Sequence, residues 1–316
     1  EATHLDSLVE DGYQHRRRHV SELSGSEAAF LSRFVAVNTQ LQSLGGLSLK
    51  EGASKWNLKS RILEWKHKHA AIAFILTRAG REESLSDIYL RENNLGLSGG
   101  ALLGEWMTGL ASIRTLDLYN NNLGAEGSAA LGRKLRELTN LQRLQLSCNQ
   151  MGVEGCAVLG MALRLTPNLA KLFLSNNDVG DLGSTAIAAA LSHVQGLQLI
   201  QLSSNGIGCQ GAIALAASLS SLHSLQEIAL SRNQIGAEGG AALAQVMQHT
   251  LSLNTLDLGY NNIAEAGCWH FARAVNVLSH LKQLCLEENG IKSDWEAARA
   301  LYSAAGGSNN KCWIRF

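Results

Sequence analysis

The stretch that decides the fold is IRTLDLYNNNL at residues 113–123, because its frame returns every 28 residues. The frame reads Leu-x-x-Leu-x-Leu-x-x-Asn-x-Leu, with isoleucine accepted in place of leucine. Its asparagines are Asn93, Asn121, Asn149, Asn177, Asn205, Asn233, Asn261 and Asn289. Self-similarity at a fixed period is the signature of a repeat architecture, so the chain is predicted to be a stacked array.

Each repeat contains two hydrophobic periods. Alternation at Leu116 and Leu118 predicts a short strand with two side chains turned inward. Leu131, Leu135 and Leu138 recur at helical spacing and predict a helix with an apolar stripe facing that strand. One such unit cannot bury its apolar face alone. Neighbouring units are therefore expected to stack into an α/β solenoid, a horseshoe with an inner parallel sheet and outer helices.

The repeated asparagine is predicted to be structural. Its amide lies at the tight corner after the strand, where backbone groups of adjacent turns would otherwise be buried without hydrogen bonds.

The frame resembles the leucine-rich repeat family over about three quarters of the chain, residues 85–316. The pattern LGAEGSAALGRKL from Leu123, echoed by IGAEGGAALAQVM from Ile235, is similar to the ribonuclease-inhibitor-like subclass. That subclass includes NOD-like receptor tails and Ran GTPase-activating proteins. The resemblance implies a protein-binding scaffold, with GTPase activation of the Ran type as the alternative. No motif places the catalytic arginine of that alternative. The phosphate-binding pattern G-x-x-x-x-G-K-[ST], which the resemblance to NOD-like receptors would imply for their nucleotide-binding module, does not occur in the sequence.

The two ends of the chain depart from the repeat. Residues 1–84 are predicted to be a helical N-terminal cap with a degenerate repeat, in which Leu44, Leu47 and Leu49 resemble a strand. Residues 85–316 are predicted to be eight 28-residue repeats followed by a terminal strand around Ile314.

The helix before that terminal strand is also irregular. It carries Arg299 at the position where other repeats bury an apolar residue, so its buried stripe is expected to shift as in a terminal cap.

The composition restricts the partners and the compartment. The 27 Lys and Arg residues balance 27 Asp and Glu residues, so nucleic-acid binding through a general basic field is not expected. Six cysteines without a CxxC pair predict free thiols in a reducing compartment. The predicted location is intracellular, preferably cytoplasmic, and an organelle reached after removal of a presequence stays open. The longest apolar run, residues 70–76, is too short for insertion into a membrane.

Motifs for chemistry are weak. GLSGG at residues 96–100 matches a hydrolase nucleophile elbow, but its glycines align with the turn glycines of the other repeats. The pairs His15 with His19 and His67 with His69 lack further metal ligands in sequence. We therefore expect a protein that is not an enzyme and has no catalytic residue, cofactor or metal.

The inner face of the sheet remains as the candidate site. Aromatic side chains beside arginine and aspartate have the composition of binding hot spots. The alternative is that the rings only satisfy strand propensity and stack on one another across the strands. The predicted function is protein recognition through the concave face, with a structural role in a larger assembly as a further alternative. The candidate partner-binding residues are Asp87, Tyr89, Arg91, Asp117, Tyr119, Arg143, Lys171, Phe173, Leu199 and Trp313.

Overall fold

A computed structural model describes residues 86–106, 110–275, 281–307 and 312–316. Before them it describes only three strands, β1 (Ser43–Leu44), β2 (Leu47–Ser48) and β3 (Lys55–Asn57). The helical cap predicted for residues 1–84 otherwise lies outside the described residues, as does the boundary at residue 85, and both stay predictions.

In the part of the chain that is described, ten parallel strands form one open sheet in the order of the sequence. Partners on neighbouring strands are mostly one repeat apart, as for Leu116 and Leu144. The strands are β3, β4 (Asp87–Tyr89), β5 (Thr115–Asp117), β6 (Arg143–Gln145), β7 (Lys171–Phe173), β8 (Leu199–Gln201), β9 (Glu227–Ala229), β10 (Thr255–Asp257), β11 (Gln283–Cys285) and β12 (Trp313–Arg315).

A helix follows each strand from β4 to β11 and forms the outer layer. The eight described helices are α1 (Gly96–Trp106), α2 (Gly124–Leu135), α3 (Gly152–Leu163), α4 (Gly180–Leu191), α5 (Cys209–Leu219), α6 (Gly236–Met247), α7 (Ala264–Val275) and α8 (Glu296–Gly307). The core lies between the layers, where Leu116, Leu118 and Leu131 are fully buried. This is the predicted α/β leucine-rich repeat solenoid.

Neighbouring helices approach closely through small residues. A Cβ atom added at Gly160 in α3 would lie 2.6 Å from the carbonyl oxygen of Ala186 in α4. The backbone of Ala186 cannot move away from such a contact as a flexible side chain could. The absence of a side chain at Gly160 therefore allows α3 and α4 to pack at this distance.

The asparagine ladder is confirmed. Asn177 is 0% exposed, and its Nδ2 donates to the carbonyl oxygens of Leu146 at 2.9 Å and Leu174 at 3.0 Å. Its Oδ1 accepts the backbone N–H of Asn149 at 2.9 Å. One side chain therefore connects two consecutive turns of the solenoid, as the corner of a tight coil requires.

The turn that starts each helix uses the left-handed backbone region. Gly124 and Gly236 both have φ of 67° there. Ala264 takes the equivalent position with φ of 55°, although a Cβ atom makes this region costly. The start of α7 is therefore strained.

Helix α5 begins differently from its neighbours. Gly208 has φ of −92°, and the carboxylate of Asp181 accepts the N–H groups of Gly208 at 2.7 Å and Gly211 at 2.9 Å. An acidic side chain from the preceding repeat thus caps α5, which satisfies N–H groups that a helix start leaves unpaired.

The first strand of the sheet differs from the expectation. Leu44 and Leu47 belong to β1 and β2, which pair antiparallel with each other in a separate two-stranded sheet. The sheet instead begins at β3, where Trp56 pairs with Ile88. The spacing of 32 residues hid this strand from the 28-residue frame.

At the other end, the predicted terminal strand is present as β12, but its predicted register is wrong by two residues. The 28-residue spacing places Ile314 opposite Leu286, whereas Ile314 pairs with Leu284, because the last repeat is two residues longer than the others. The shift of the buried stripe in α8 is confirmed, since Arg299 is exposed while Leu301 is buried.

Candidate functional site

The concave face of the sheet consists of three rows of side chains that alternate with the buried leucines. In β5 these rows are represented by Thr115, Asp117 and Tyr119, and we call them the first, second and third row. The middle residue of every strand from β4 to β12 is buried, which places its two neighbours on the concave side. All of the candidate residues lie in these rows. The first row holds Asp87, Arg143, Lys171, Leu199 and, through its pairing with Gln283, Trp313. The second row holds Tyr89, Asp117 and Phe173, and the third holds Arg91 and Tyr119.

A compact cluster forms around Asp117, which is 0% exposed. Both Nε and Nη2 of Arg91 donate to its Oδ2, at 2.7 and 2.6 Å. The backbone N–H of Tyr119 donates to its Oδ1 at 3.2 Å. Arg91 and the backbone thus already satisfy both carboxylate oxygens of Asp117, and a contact of Asp117 with a partner stays a prediction.

The residues of this cluster that reach the solvent on the concave face are Arg91 and Tyr119, which are half-buried. The guanidinium lies 5.8 Å from the centre of the Tyr119 ring, and Asp117 holds the pKa of Arg91 above its usual range by hydrogen bonding. A hydrogen bond with Cys148 raises the pKa of the Tyr119 hydroxyl. Both side chains are thus held in place before any partner arrives.

A second cluster joins β6 and β7. The Arg143 guanidinium lies 4.1 Å from the centre of the Phe173 ring, and Phe173 is only 7% exposed. Arg143 therefore covers the Phe173 ring, and a contact of Phe173 with a partner stays a prediction. The surface that a partner could contact at this cluster therefore consists of the solvent-facing side of Arg143 and the exposed Lys171.

Stacking between rings does not explain the aromatic residues. Within the residues described by the structure, Tyr89, Tyr119 and Phe173 form no ring pair with one another. The ring pair found there joins Tyr302 and Phe316, 5.1 Å apart at the C-terminal end. Two of the three concave rings contact arginine instead.

The remaining candidates are less constrained. Asp87 accepts a hydrogen bond from Ser86 Oγ at 2.7 Å. Leu199 and Tyr89 are half-buried. Trp313 lies apart on the terminal strand and is 58% exposed.

Sequence reasoning missed a hollow of about 580 Å³ on the concave face between β8 and β11. Its floor is open because Ala229, Ser231 and Gly259 are small. Glu227 and Asp257 are among the polar groups that line it. The sequence pattern that could have predicted the hollow is the decrease in side-chain size along the third row, from Tyr119 through serines at 147, 175, 203 and 231 to Gly259.

The rim of the hollow is polar and aromatic. Arg315 pairs with Glu287 at 3.1 Å, and the Arg232 guanidinium lies 4.5 Å from the centre of the Tyr260 ring. Tyr260 is 41% exposed. The rim therefore offers a flat ring and fixed charges around a hollow that Glu227 and Asp257 help to line.

Burial disfavours the thiolate form of three cysteines in the described repeats. Burial raises the pKa of Cys156 to about 12 and that of Cys268 to about 11. Burial also raises the pKa of Cys285, which lines the hollow. These groups are protonated at neutral pH, and a thiolate nucleophile is not formed there.

The other motifs give no site. No group of three or more potential metal ligands occurs in the described residues. The pairs His15 with His19 and His67 with His69 lie outside them. Gly96 of the GLSGG stretch has φ of 62°, which matches the turn glycines of the other repeats. Among the described helices, none is long and apolar enough to cross a bilayer.

Comparisons with known proteins agree with the repeat. The family model described as Leucine Rich repeat matches residues 109–132, 137–160, 197–216 and 221–244. A search of curated protein sequences finds no significant match.

Similar solved structures include actin-binding site 2 of leiomodin-1, at 15% identity and a TM-score of 0.40, covering 48% of this chain and 89% of that one. Another is the C-terminal domain of tropomodulin from Caenorhabditis elegans, at 16% identity and a TM-score of 0.41, covering 48% of this chain and 90% of that one. The matched repeats coincide with the strand and helix units described above, and the fold is therefore that of a leucine-rich repeat solenoid.

Proposed function

We propose that the protein is a non-catalytic recognition module that binds a protein partner through its concave face. The observation that carries this proposal is the pair of arginine clusters, Arg91 with Asp117 and Tyr119, and Arg143 with Phe173. Each cluster fixes an arginine next to an aromatic ring on the same open face.

Fixed arginine and tyrosine side chains suit protein recognition for a thermodynamic reason. Ordering a flexible side chain on binding costs roughly 0.5–1.5 kcal/mol, and preorganised groups avoid most of that cost. Arginine, tyrosine and tryptophan are also the residues most enriched among binding hot spots. Arg91, Tyr119 and Arg143 are therefore proposed as the main anchors, with Lys171 and Leu199 beside them.

The state of the cysteines supports a proposed intracellular location. All of the cysteines in the described repeats are free thiols, which persist in a reducing compartment. The 28-residue repeat with a full helix is compatible with the ribonuclease-inhibitor-like subclass.

The proposal is tested by site-specific photo-cross-linking in cells. A photoreactive amino acid is placed at Lys171 on the concave face or at Arg133 on the outer face of α2, which is also exposed. Reproducible cross-links to one protein from position 171 and not from position 133 support the proposal. Cross-links to one protein only from position 133 overturn it and move the interface to the helices.

A further inference from the structure

We propose that the concave face recognises a protein segment carrying opposite charges at two places, and this rests on the proposed function. Acidic side chains of the segment lie over Arg143 and Lys171, and an arginine or lysine enters the hollow beside Asp257. The inference names the chemistry of the partner and its orientation along the sheet.

The first argument is an arginine–aspartate pair that the protein builds within itself. Asp117 and Asp257 occupy the same row in different repeats, and each accepts the N–H of the residue two positions later, at 3.2 and 3.1 Å. Asp117 also receives Arg91, which lies 26 residues earlier. The residue 26 positions before Asp257 is Ser231, which cannot supply a charge.

Ser231 is in fact directed elsewhere, since its Oγ donates to Ser203 Oγ at 3.0 Å. In the part of the chain that the structure describes, no cation forms an ion pair with Asp257. The hollow occupies the space where the guanidinium lies in the Asp117 cluster, since Ser231 and Gly259 replace Arg91 and Tyr119. The space beside the Asp257 carboxylate is therefore open to a cationic side chain from a partner.

The second argument is the pair of like charges on β6 and β7. Arg143 and Lys171 are direct partners in the parallel register. Like charges in such positions destabilise a sheet. Neither side chain forms an ion pair with another described residue, so acidic groups supplied from outside would relieve the repulsion.

The two charged regions are separated by an uncharged strand. Strand β8 carries Leu199 and Gln201 between them. Lys171 and Asp257 lie three strands apart, which corresponds to about 14 Å at about 4.8 Å per strand. A bound segment would span that distance with about nine residues as a helix or about four in extended form.

The test uses a displayed library of random 16-residue peptides selected against the full chain. Enriched peptides are expected to carry arginine or lysine at one end and aspartate or glutamate at the other. Their affinity is expected to fall about ten-fold or more in Asp257→Asn, because a charged contact across an interface is lost. It should also fall in the double variant Arg143→Gln with Lys171→Gln.

A matched pair of variants tests the hollow directly. Ser231→Arg is designed to copy the Arg91–Asp117 pair, and so to neutralise Asp257 and fill the hollow, whereas Ser231→Gln adds a long side chain without charge. Ser231→Arg is expected to keep or raise the melting temperature and to abolish binding of the selected peptides. Ser231→Gln should weaken binding less.

The outcomes separate this inference from the proposed function. Gly259→Tyr fills the same hollow without backbone strain, because Gly259 is not in the left-handed region and Tyr119 occupies the equivalent position. Peptides that lose affinity in Gly259→Tyr but have no charge pattern, and that bind Asp257→Asn normally, overturn the inference alone. Peptides that bind every concave-face variant normally overturn both. A selection without enrichment also overturns the inference, since the library contains segments of the proposed kind.

Discussion

Replacing Asn177 with alanine tests the ladder, because the cost can be worked out atom by atom. The Nδ2 group donates to the carbonyl oxygens of Leu146 and Leu174. Each of these oxygens also accepts a second amide, from Asn149 and from Asn205, both at 2.9 Å. Both carbonyls therefore keep one hydrogen bond after the substitution.

The backbone N–H of Asn149, in contrast, loses its hydrogen-bond acceptor in the alanine variant. Its acceptor is Asn177 Oδ1 at 2.9 Å, and the alanine variant leaves it buried without that partner. A buried unsatisfied donor costs about 1–3 kcal/mol, and weakening two carbonyls adds about 0.5–1 kcal/mol. We expect Asn177→Ala to lower the free energy of unfolding by roughly 2–4 kcal/mol.

Asn261→Ala provides the matched comparison. Asn261 makes the same two donations, to Leu230 and Leu258 at 2.9 and 3.0 Å. Its Oδ1, however, accepts only a long contact of 3.5 Å from the N–H of Ile235 among the described residues. Its replacement should therefore cost less than that of Asn177, by about 1–2 kcal/mol.

Both variants are compared by urea unfolding followed by circular dichroism. The slopes must match for the difference in free energy to be read from the midpoints, because repeat arrays can lose cooperativity. Equal losses in the two variants would show that the orphaned N–H of Asn149 is not the main cost. An unchanged midpoint in Asn177→Ala would refute the structural role of the ladder.

Four other predictions concern the helix starts, the core and the Ran-type alternative. Ala264→Gly should raise the free energy of unfolding by about 0.5–1 kcal/mol by relieving the left-handed strain, whereas Ala266→Gly in exposed helix should lower it by about 1 kcal/mol, both measured by thermal unfolding. Asp181→Ala should cost about 1–2 kcal/mol through the lost cap of α5, and faster amide exchange at Gly208 would locate the loss there. Leu118→Ala should cost about 2–5 kcal/mol of folding stability in urea, and a smaller loss would contradict its place in the core. Purified protein should not stimulate GTP hydrolysis by small GTPases in a phosphate-release assay, and stimulation abolished by one arginine substitution would restore the Ran-type alternative.

The repeat pattern was sufficient to predict the fold because every unit solves the same packing problem. Leu116, Leu118 and Asn121 occupy positions at which strand, core and corner impose the same chemistry in each turn. The terminal strand around Ile314 could therefore be placed by counting, but its register could not, because the last repeat is two residues longer and pairs Ile314 with Leu284. The N-terminal edge escaped this reasoning, because Trp56 lies four residues outside the 28-residue register.

The concave face was predicted as a surface but not as a set of contacts. Alternation identifies which side chains leave the core, and it placed Arg91, Asp117 and Phe173 correctly on one face. It contains no information on how side chains 26 or more residues apart meet across strands. Only the tertiary structure decided that Arg91 neutralises Asp117 and that Arg143 covers Phe173.

The sequence by itself determined the period, the inward stripe and the asparagine ladder, because those features repeat and each copy confirms the others. The tertiary structure alone decided which charges are already paired and where space is left open. Asp117 and Asp257 have the same place in the repeat, yet one is sealed by Arg91 and the other borders a hollow of about 580 Å³. The physical reason is that side-chain volume and charge on neighbouring strands vary freely, whereas the buried frame cannot.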